Sequence, residues 1–212
     1  SSANPAEPAD TTVTLFQSST GRRVRNPESW YLMWGFGASS NAYPDKLNDF
    51  LSRSDTSSLG WSSCGFGVYV PFWNEKTILG INFSGSSSDY TFNDDGRSID
   101  VDVSSDLMSI SVLHWLNVEA GGRGLFIRAD AGIATMSSGY FAYDSILGAS
   151  NERTISGAGV GCLGGIGYST PTPSGNASLL IEATLSLRLI DSEYDDFDGI
   201  YSAFAVNVAA LW

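Results

Sequence analysis

The run from Ile200 to Trp212 constrains the fold more than any other stretch of this chain. It reads Ile-Tyr-Ser-Ala-Phe-Ala-Val-Asn-Val-Ala-Ala-Leu-Trp. In an extended chain, Phe204, Val206, Val208, Ala210 and Trp212 fall on one side, and Ala203, Ala205, Asn207, Ala209 and Leu211 on the other. Successive side chains of a strand point to opposite faces, whereas a helix groups every third or fourth residue. The stretch is therefore a strand with one apolar face and one small or mildly polar face, and an aromatic residue closes it.

The same alternation recurs seven more times. Trp30, Leu32, Trp34 and Phe36 oppose Met33, Gly35 and Gly37 in a first strand; Cys64, Phe66, Val68, Val70 and Phe72 oppose Ser63, Gly65, Gly67 and Tyr69 in a second. A third sets Leu79, Ile81 and Phe83 against Gly80, Asn82 and Ser84. In a fourth, Met108, Ile110, Val112 and Leu116 share a side, with Leu113 and Trp115 able to take it over after a bulge. The fifth alternates Leu125, Ile127, Ala129, Ala131 and Ile133 with Phe126, Arg128, Asp130 and Gly132. The sixth places Gly157, Gly159, Gly161, Gly165 and Gly167 behind Ala158, Val160, Cys162, Ile166 and Tyr168. The seventh sets Leu179, Ile181, Ala183, Leu185, Leu187 and Leu189 against Glu182, Thr184, Ser186 and Arg188. Connections alternate between long (Ser39–Gly60, Gly85–Ser105, Ser137–Arg153, Asp191–Gly199) and short, at Asn74, Val118 and Pro171. Such alternation belongs to an up-and-down barrel with short turns at one end and long loops at the other.

Composition decides which face meets what. One face is large and nearly free of charge; the other is Gly, Ser and Ala with a few ions. Facing the second to water would leave a surface almost without charge, whereas facing it inward suits a narrow lumen. Mean hydropathy near zero agrees, because only alternate residues of such a barrel meet lipid. The expected fold is all-β, an eight-stranded antiparallel up-and-down transmembrane β-barrel spanning Trp30 to Trp212 with four long external loops. Ser1 to Ser29 is expected to form an exposed N-terminal arm. Arg22, Arg23 and Arg25 lie just before the barrel as a solvated basic turn, or in contact with anionic headgroups. A soluble, secreted lipocalin-like barrel is the runner-up fold.

The terminal aromatic, the alternating strands and the loop rhythm together resemble the small bacterial outer-membrane barrels of the OmpA/OmpX/OmpW type, in which Phe is the usual last residue. The resemblance implies an outer-membrane location, lipid and lipopolysaccharide as surroundings, and an exported chain whose signal peptide has been removed. No peptidoglycan-binding domain follows the barrel pattern, so it departs from OmpA as a whole.

With that orientation Arg128, Asp130, Glu182 and Arg188 point inward as a lumen ion network, and Arg128 and Glu182 fall at similar depth. A structural plug is the reading preferred over an ion path. Trp30, Trp73, Trp115, Tyr168 and Trp212 gather at one set of strand ends as membrane-interface aromatics, and Trp61, Tyr140 and Tyr201 at the other. Cys64 and Cys162 belong to strands on opposite sides of the barrel, which argues against a disulfide.

Little in the sequence speaks of chemistry. A net charge of −12 excludes a nucleic-acid partner that needs a basic footprint. His114, the only histidine, falls at the short-turn end with no Ser-Asp pattern around it, so no catalytic residue is assigned. The acidic stretches Asp94–Asp102 and Asp191–Gly199 lack the spacing of an EF-hand. They read as solvated loops; Asp191, Glu193, Asp195, Asp196 and Asp198 are the candidate ligands for loosely bound calcium or magnesium, which would bridge to lipopolysaccharide phosphates. Tyr43 to Leu51 has the spacing of a short amphipathic helix with Leu47, Phe50 and Leu51 on one side, lying on the rim or docking a partner. No cofactor is expected. The function expected is a non-enzymatic one, structural, adhesive or anchoring, with a surface or envelope protein as a candidate partner. A small channel is the alternative; a lipid- or peptide-modifying barrel enzyme is the third.

Overall fold

The computed structural model describes residues 30–57, 60–94, 97–144, 149–192 and 197–212. The N-terminal arm, 1–29, lies outside the described residues, as do Glu193, Asp195 and Asp196. In chain order the elements are β1 (Tyr31–Ala42), α1 (Asp45–Leu51), β2 (Thr56–Ser57), β3 (Gly60–Phe72), β4 (Asn74–Asp94), β5 (Arg97–Trp115), β6 (Gly124–Asp144), β7 (Ala149–Pro171), β8 (Ser178–Ser192) and β9 (Gly199–Leu211). Eight long strands pair antiparallel in the ring β1-β3-β4-β5-β6-β7-β8-β9, and β9 pairs back to β1. The two-residue β2 adds to the outer edge of β4. Trp212 extends the closing seam by exchanging backbone hydrogen bonds with Leu32, at 2.9 and 3.1 Å.

The closure has a measurable stagger. Paired residues lead from Phe83 through Phe66 and Trp34 to Ala210; in the other direction they lead through Met108, Ile133, Val160 and Leu189 to Ile200. The two routes reach β9 ten residues apart, Ala210 against Ile200. Eight strands so staggered tilt by about 40° and enclose a space that side chains can just fill.

Every barrel strand turns large apolar side chains outward. Leu185 is 53% exposed, Ile181 52%, Phe204 52% and Ile110 65%, while Glu182, Arg128 and Asn207 behind them are at most 3% exposed. Soluble proteins do not carry a continuous apolar belt of this extent. Water therefore cannot be the solvent on this face, and closure leaves no strand edge unpaired within hydrocarbon. The alternation of the sequence maps onto this belt almost residue for residue.

Four corrections follow from the packing. On β3 the parity breaks at a bulge between Ser63 and Phe66, where Gly65 has φ +89°. The inward serine before it is Ser62, 6% exposed; the side chains of Ser63 and Cys64 lie outside the described residues. On β5 no bulge intervenes, so Leu113 and Trp115 stay inside the barrel. Gly85–Ser105 and Ser137–Arg153 are not loops for most of their length: β4 pairs with β5 without interruption to Asp94 and Arg97, and β6 with β7 to Asp144 and Ala149. The physical reason is that past the lipid belt neither face needs to be greasy. Backbone pairing alone continues the ladder, and apolar alternation loses its diagnostic value there. Finally, Phe50 is 47% exposed, and only Leu47 and Leu51, one helical turn apart, form the buried face of α1.

A membrane span needs about 9–11 tilted strand residues, whereas β4, β5, β6 and β7 have 21, 19, 21 and 23. Their outward residues change from large and apolar to small or polar along one pairing step. The row Phe83, Met108, Ile133, Val160 and Leu189 is followed by Gly85, Asp106, Thr135, Ala158 and Asp191. Beyond it the four strands stand clear of the belt as a twisted sheet.

Candidate functional site: a closed lumen beneath an acidic sheet

The interior is built in three tiers. At the short-turn end, Tyr31, Met33, Tyr69, Ile78, Leu113, Trp115, Phe126, Leu180, Ala209 and Leu211 form an apolar plug. Trp115 stacks on Phe126 with ring centroids 5.4 Å apart and donates its indole N–H to Ser169 Oγ at 2.7 Å. The β5–β6 turn folds beneath this plug: Val118 and Ala120 pack against it, and the Ala120 amide donates to the Glu75 carbonyl at 2.8 Å. The hydroxyls of Ser169 and Ser178 donate to the carbonyls of Gly122 and Gly121.

Trp115 is therefore no interface aromatic. It is fully buried, because its even-numbered neighbours His114 and Leu116 hold the outward positions. Trp30, Trp73, Tyr168 and Trp212 do point outward, near the short turns; Trp73, at φ 63°, forms the β3–β4 turn itself. Tyr201 also departs from the girdle reading, being 1% exposed inside the outer mouth, whereas Trp61 is outward and 67% exposed. The side chain of Tyr140 lies outside the described residues.

The middle tier is polar. Arg128 reaches Asp130 through Nε, at 3.1 Å to each carboxylate oxygen, and through Nη2 at 2.6 Å. Its Nη1 donates to Glu182 Oε1 at 2.9 Å. All three side chains are fully buried. Asp130 also accepts from Ser111 at 2.5 Å and from Ser109 at 3.4 Å, and Tyr69 supports Ser111 with its hydroxyl at 3.1 Å. Asn207 donates to Glu182 Oε1 and to Thr184 Oγ1 at 3.4 Å each, and accepts from Ser62 at 2.6 Å. Arg128, Asp130 and Glu182 are thus brought together; Arg188 is not. It lies six positions further along β8 and donates to the hydroxyls of Ser86 and Ser105. The supporting groups, Tyr69, Ser62, Ser109, Ser111 and Asn207, were not singled out from the sequence. Inward parity on adjacent strands is the signal for Tyr69, Ser109, Ser111 and Asn207, whereas the bulge on β3 hides Ser62.

The outer tier is apolar again. Leu47 and Leu51 of α1 descend onto Val101, Val103, Leu107, Ala134, Met136, Leu163, Ile190 and Tyr201. Tyr43 meets Tyr90 and Tyr201 edge-on at 6.2 and 5.9 Å, and Phe50 stacks on Phe92 at 4.9 Å. Burial between these rings pushes the Tyr43 phenol well above the usual tyrosine range. The helix is therefore a cap in the mouth of the barrel.

Outside the lumen, the protruding sheet carries Asp89, Asp100, Asp102 and Asp106 on its outward face. Asp89 and Asp102 are directly opposed across β4 and β5. Partial burial, and then the charge of Asp89, raise the carboxyl of Asp102 above its ordinary value. Thr91 donates to Asp100 at 2.8 Å. Of the loop carboxylates proposed as ion ligands, Asp191 is exposed and Asp198 accepts the Ser192 amide at 2.7 Å. Among the described residues no group of three His, Cys, Asp or Glu side chains is placed to hold a metal ion. His114 lies at the short-turn end, its Nδ1 2.9 Å from Thr77 Oγ1; Thr77 in turn bonds to Asn74 Oδ1 at 3.0 Å. The histidine thus joins a cluster that buttresses the β3–β4 turn.

Comparison with known proteins places the fold. No family model and no curated protein matches the sequence. Among solved structures, the chain resembles Ail, the attachment invasion locus protein of Yersinia pestis, crystallised in complex with the heparin analogue sucrose octasulfate. The TM-score is 0.51 at 13% identity, over 86% of this chain and 97% of that one. Neisserial surface protein A gives 0.42 at 10% identity, over 86% and 95%. The N-terminal β-barrel domain of Pseudomonas aeruginosa OprF gives 0.39 at 14%, over 87% and 98%. The fold is that of the small eight-stranded outer-membrane β-barrels.

Proposed function

We propose that this protein is an outer-membrane surface scaffold: a barrel that neither catalyses nor conducts, and that attaches the cell, or a surface assembly, through its external sheet. The observation that carries the reading is the sheet made by the outer halves of β4 to β7. It prolongs the barrel wall well past the lipid belt, and its β4–β5 half is acidic on the outward face. A wall of paired strands is a rigid platform, and rigid platforms lose little entropy when a partner binds. Interfacial Trp30, Trp73, Tyr168 and Trp212 would anchor the other end in the inner leaflet.

Apolar side chains pack above and below a fully buried ion cluster, which supports a structural role over a channel. Ail was crystallised with a sulfated-sugar analogue; here the outward carboxylates would repel sulfate. A cationic protein surface, or lipopolysaccharide phosphates bridged by calcium or magnesium, suits this sheet better. The test is surface display in a host lacking adhesins. Adhesion should fall when the β4–β5 hairpin is shortened by residues 87–102, while the trimmed barrel keeps its heat-modifiable gel mobility. Adhesion unaffected by the trimming would refute the scaffold reading. Discrete single-channel conductance in planar bilayers would refute the closed lumen.

A further inference from the structure

Arg188 has no acid of its own. It is 3% exposed, inside the barrel between the ion cluster and the apolar cap. Among the described residues both buried ion pairs belong to Arg128, and no carboxylate lies within ion-pair distance of Arg188. The acid whose field reaches it, Asp106, is exposed on the outward side of β5. Its hydrogen bonds run from Nη1 to the Ser86 and Ser105 hydroxyls, which are themselves 3.3 Å apart. Its Nε has no partner, and neither does the buried hydroxyl of Ser84, the next inward residue on β4.

A guanidinium has only donors, and a serine oxygen that accepts from it must turn its own proton elsewhere. What the site lacks is an acceptor, and a negative one. Burying an unmatched charge is among the costliest arrangements a protein interior can hold. We propose that Arg188 and the lumenal serines of β4 and β5 form a binding site for a small inorganic anion of the halide class, chloride above all. A halide accepts hydrogen bonds from every side and offers none, so it can take Nε–H and the serine protons together. Water would satisfy the donors but leave the charge. The space beside the arginine arm is narrow: a Cβ at Gly161 would stand 3.1 Å from both Arg188 Cγ and Leu107 Cδ1. That argues for a monatomic ion over phosphate or sulfate.

The experiment uses the barrel refolded in detergent micelles, with thermal midpoints read by loss of the fast-migrating gel form. Sodium chloride, bromide and gluconate are compared at equal ionic strength. Wild type should gain a few degrees in chloride and bromide over gluconate, saturably. Arg188→Met should lose that difference. Should Arg188→Met not refold, Ser105→Ala keeps the charge and removes one hydroxyl, and it should need about tenfold more chloride for half the shift. Bromide-soaked crystals should show one anomalous peak in contact with the guanidinium. Equal midpoints in chloride and gluconate, or a halide shift that survives Arg188→Met, would overturn the proposal. So would density for water alone.

Discussion

Removing the guanidinium of Arg128 tests how dry the lumen is. Arg128 makes three hydrogen bonds to Asp130 and one to Glu182 from a fully buried position. Arg128→Met keeps most of the volume and leaves two carboxylates facing each other without a cation. Breaking a buried pair by deleting one partner costs about 3–5 kcal/mol. With a urea dependence of about 2–3 kcal/mol per molar, that is a fall of roughly 1–2 M in the unfolding midpoint. Glu182→Gln should behave differently. Two acids share one cation, and the second oxygen of Glu182 has no hydrogen-bond partner; the amide keeps an acceptor for Arg128 and sheds the surplus charge. Its stability should stay within about 1 kcal/mol of wild type. Urea titrations in micelles, followed by tryptophan fluorescence and gel mobility, measure both. A loss under about 1 kcal/mol for Arg128→Met would mean that water screens the cluster, and the closed lumen would have to be given up.

Three further outcomes follow from particular contacts. A Cβ at Gly167 would stand 2.4 Å from Phe126 Cζ and 2.6 Å from the Ile181 carbonyl, whereas one at Gly164 meets nothing within 4 Å. Gly167→Ala should therefore cost about 1–3 kcal/mol in the same titration and Gly164→Ala almost nothing; equal effects would mean that the plug yields. Asp102 has a raised folded-state carboxyl, so its contribution is favourable below the unfolded value and is lost as pH rises through the folded one. Asp102→Asn should slow amide exchange in the outer β4–β5 hairpin at pH 7 and leave it unchanged near pH 3. The pair Leu47→Ala and Leu51→Ala should free α1 from the mouth, so that trypsin cuts at Lys46 and Arg53 at least tenfold faster while the barrel keeps its gel mobility. Unchanged cleavage would show that the buried leucines do not hold the cap.

How much of this was legible depended on what each face of each strand touches. Where lipid lies on one side and a packed lumen on the other, period two is forced on the sequence. Residues such as Leu179, Ile181 and Leu185 then announce both strand and orientation. Beyond the belt the outer face meets water and the inner face meets α1, and the pattern thins to Val101, Val103 and Met136 among serines and aspartates. The strands continue there on backbone hydrogen bonds, which leave no trace in side-chain chemistry. That is why half of β4 and β5 read as loop.

The same reasoning explains the two kinds of error inside the barrel. Trp115 and Leu113 are as apolar as any lipid-facing residue, so composition could not tell a plug from a girdle; only strict parity with Met108 and Ile110 could. Arg188 was legible as an inward ion but not as a solitary one. Depth along a tilted strand depends on the stagger of ten residues at closure, which no single strand encodes. The stagger sets Arg128 level with Glu182 and leaves Arg188 facing serines. Whether a lumen charge finds a partner in the chain is thus decided by the ring as a whole. An unmatched charge is the place where such a barrel has reason to take its partner from solution.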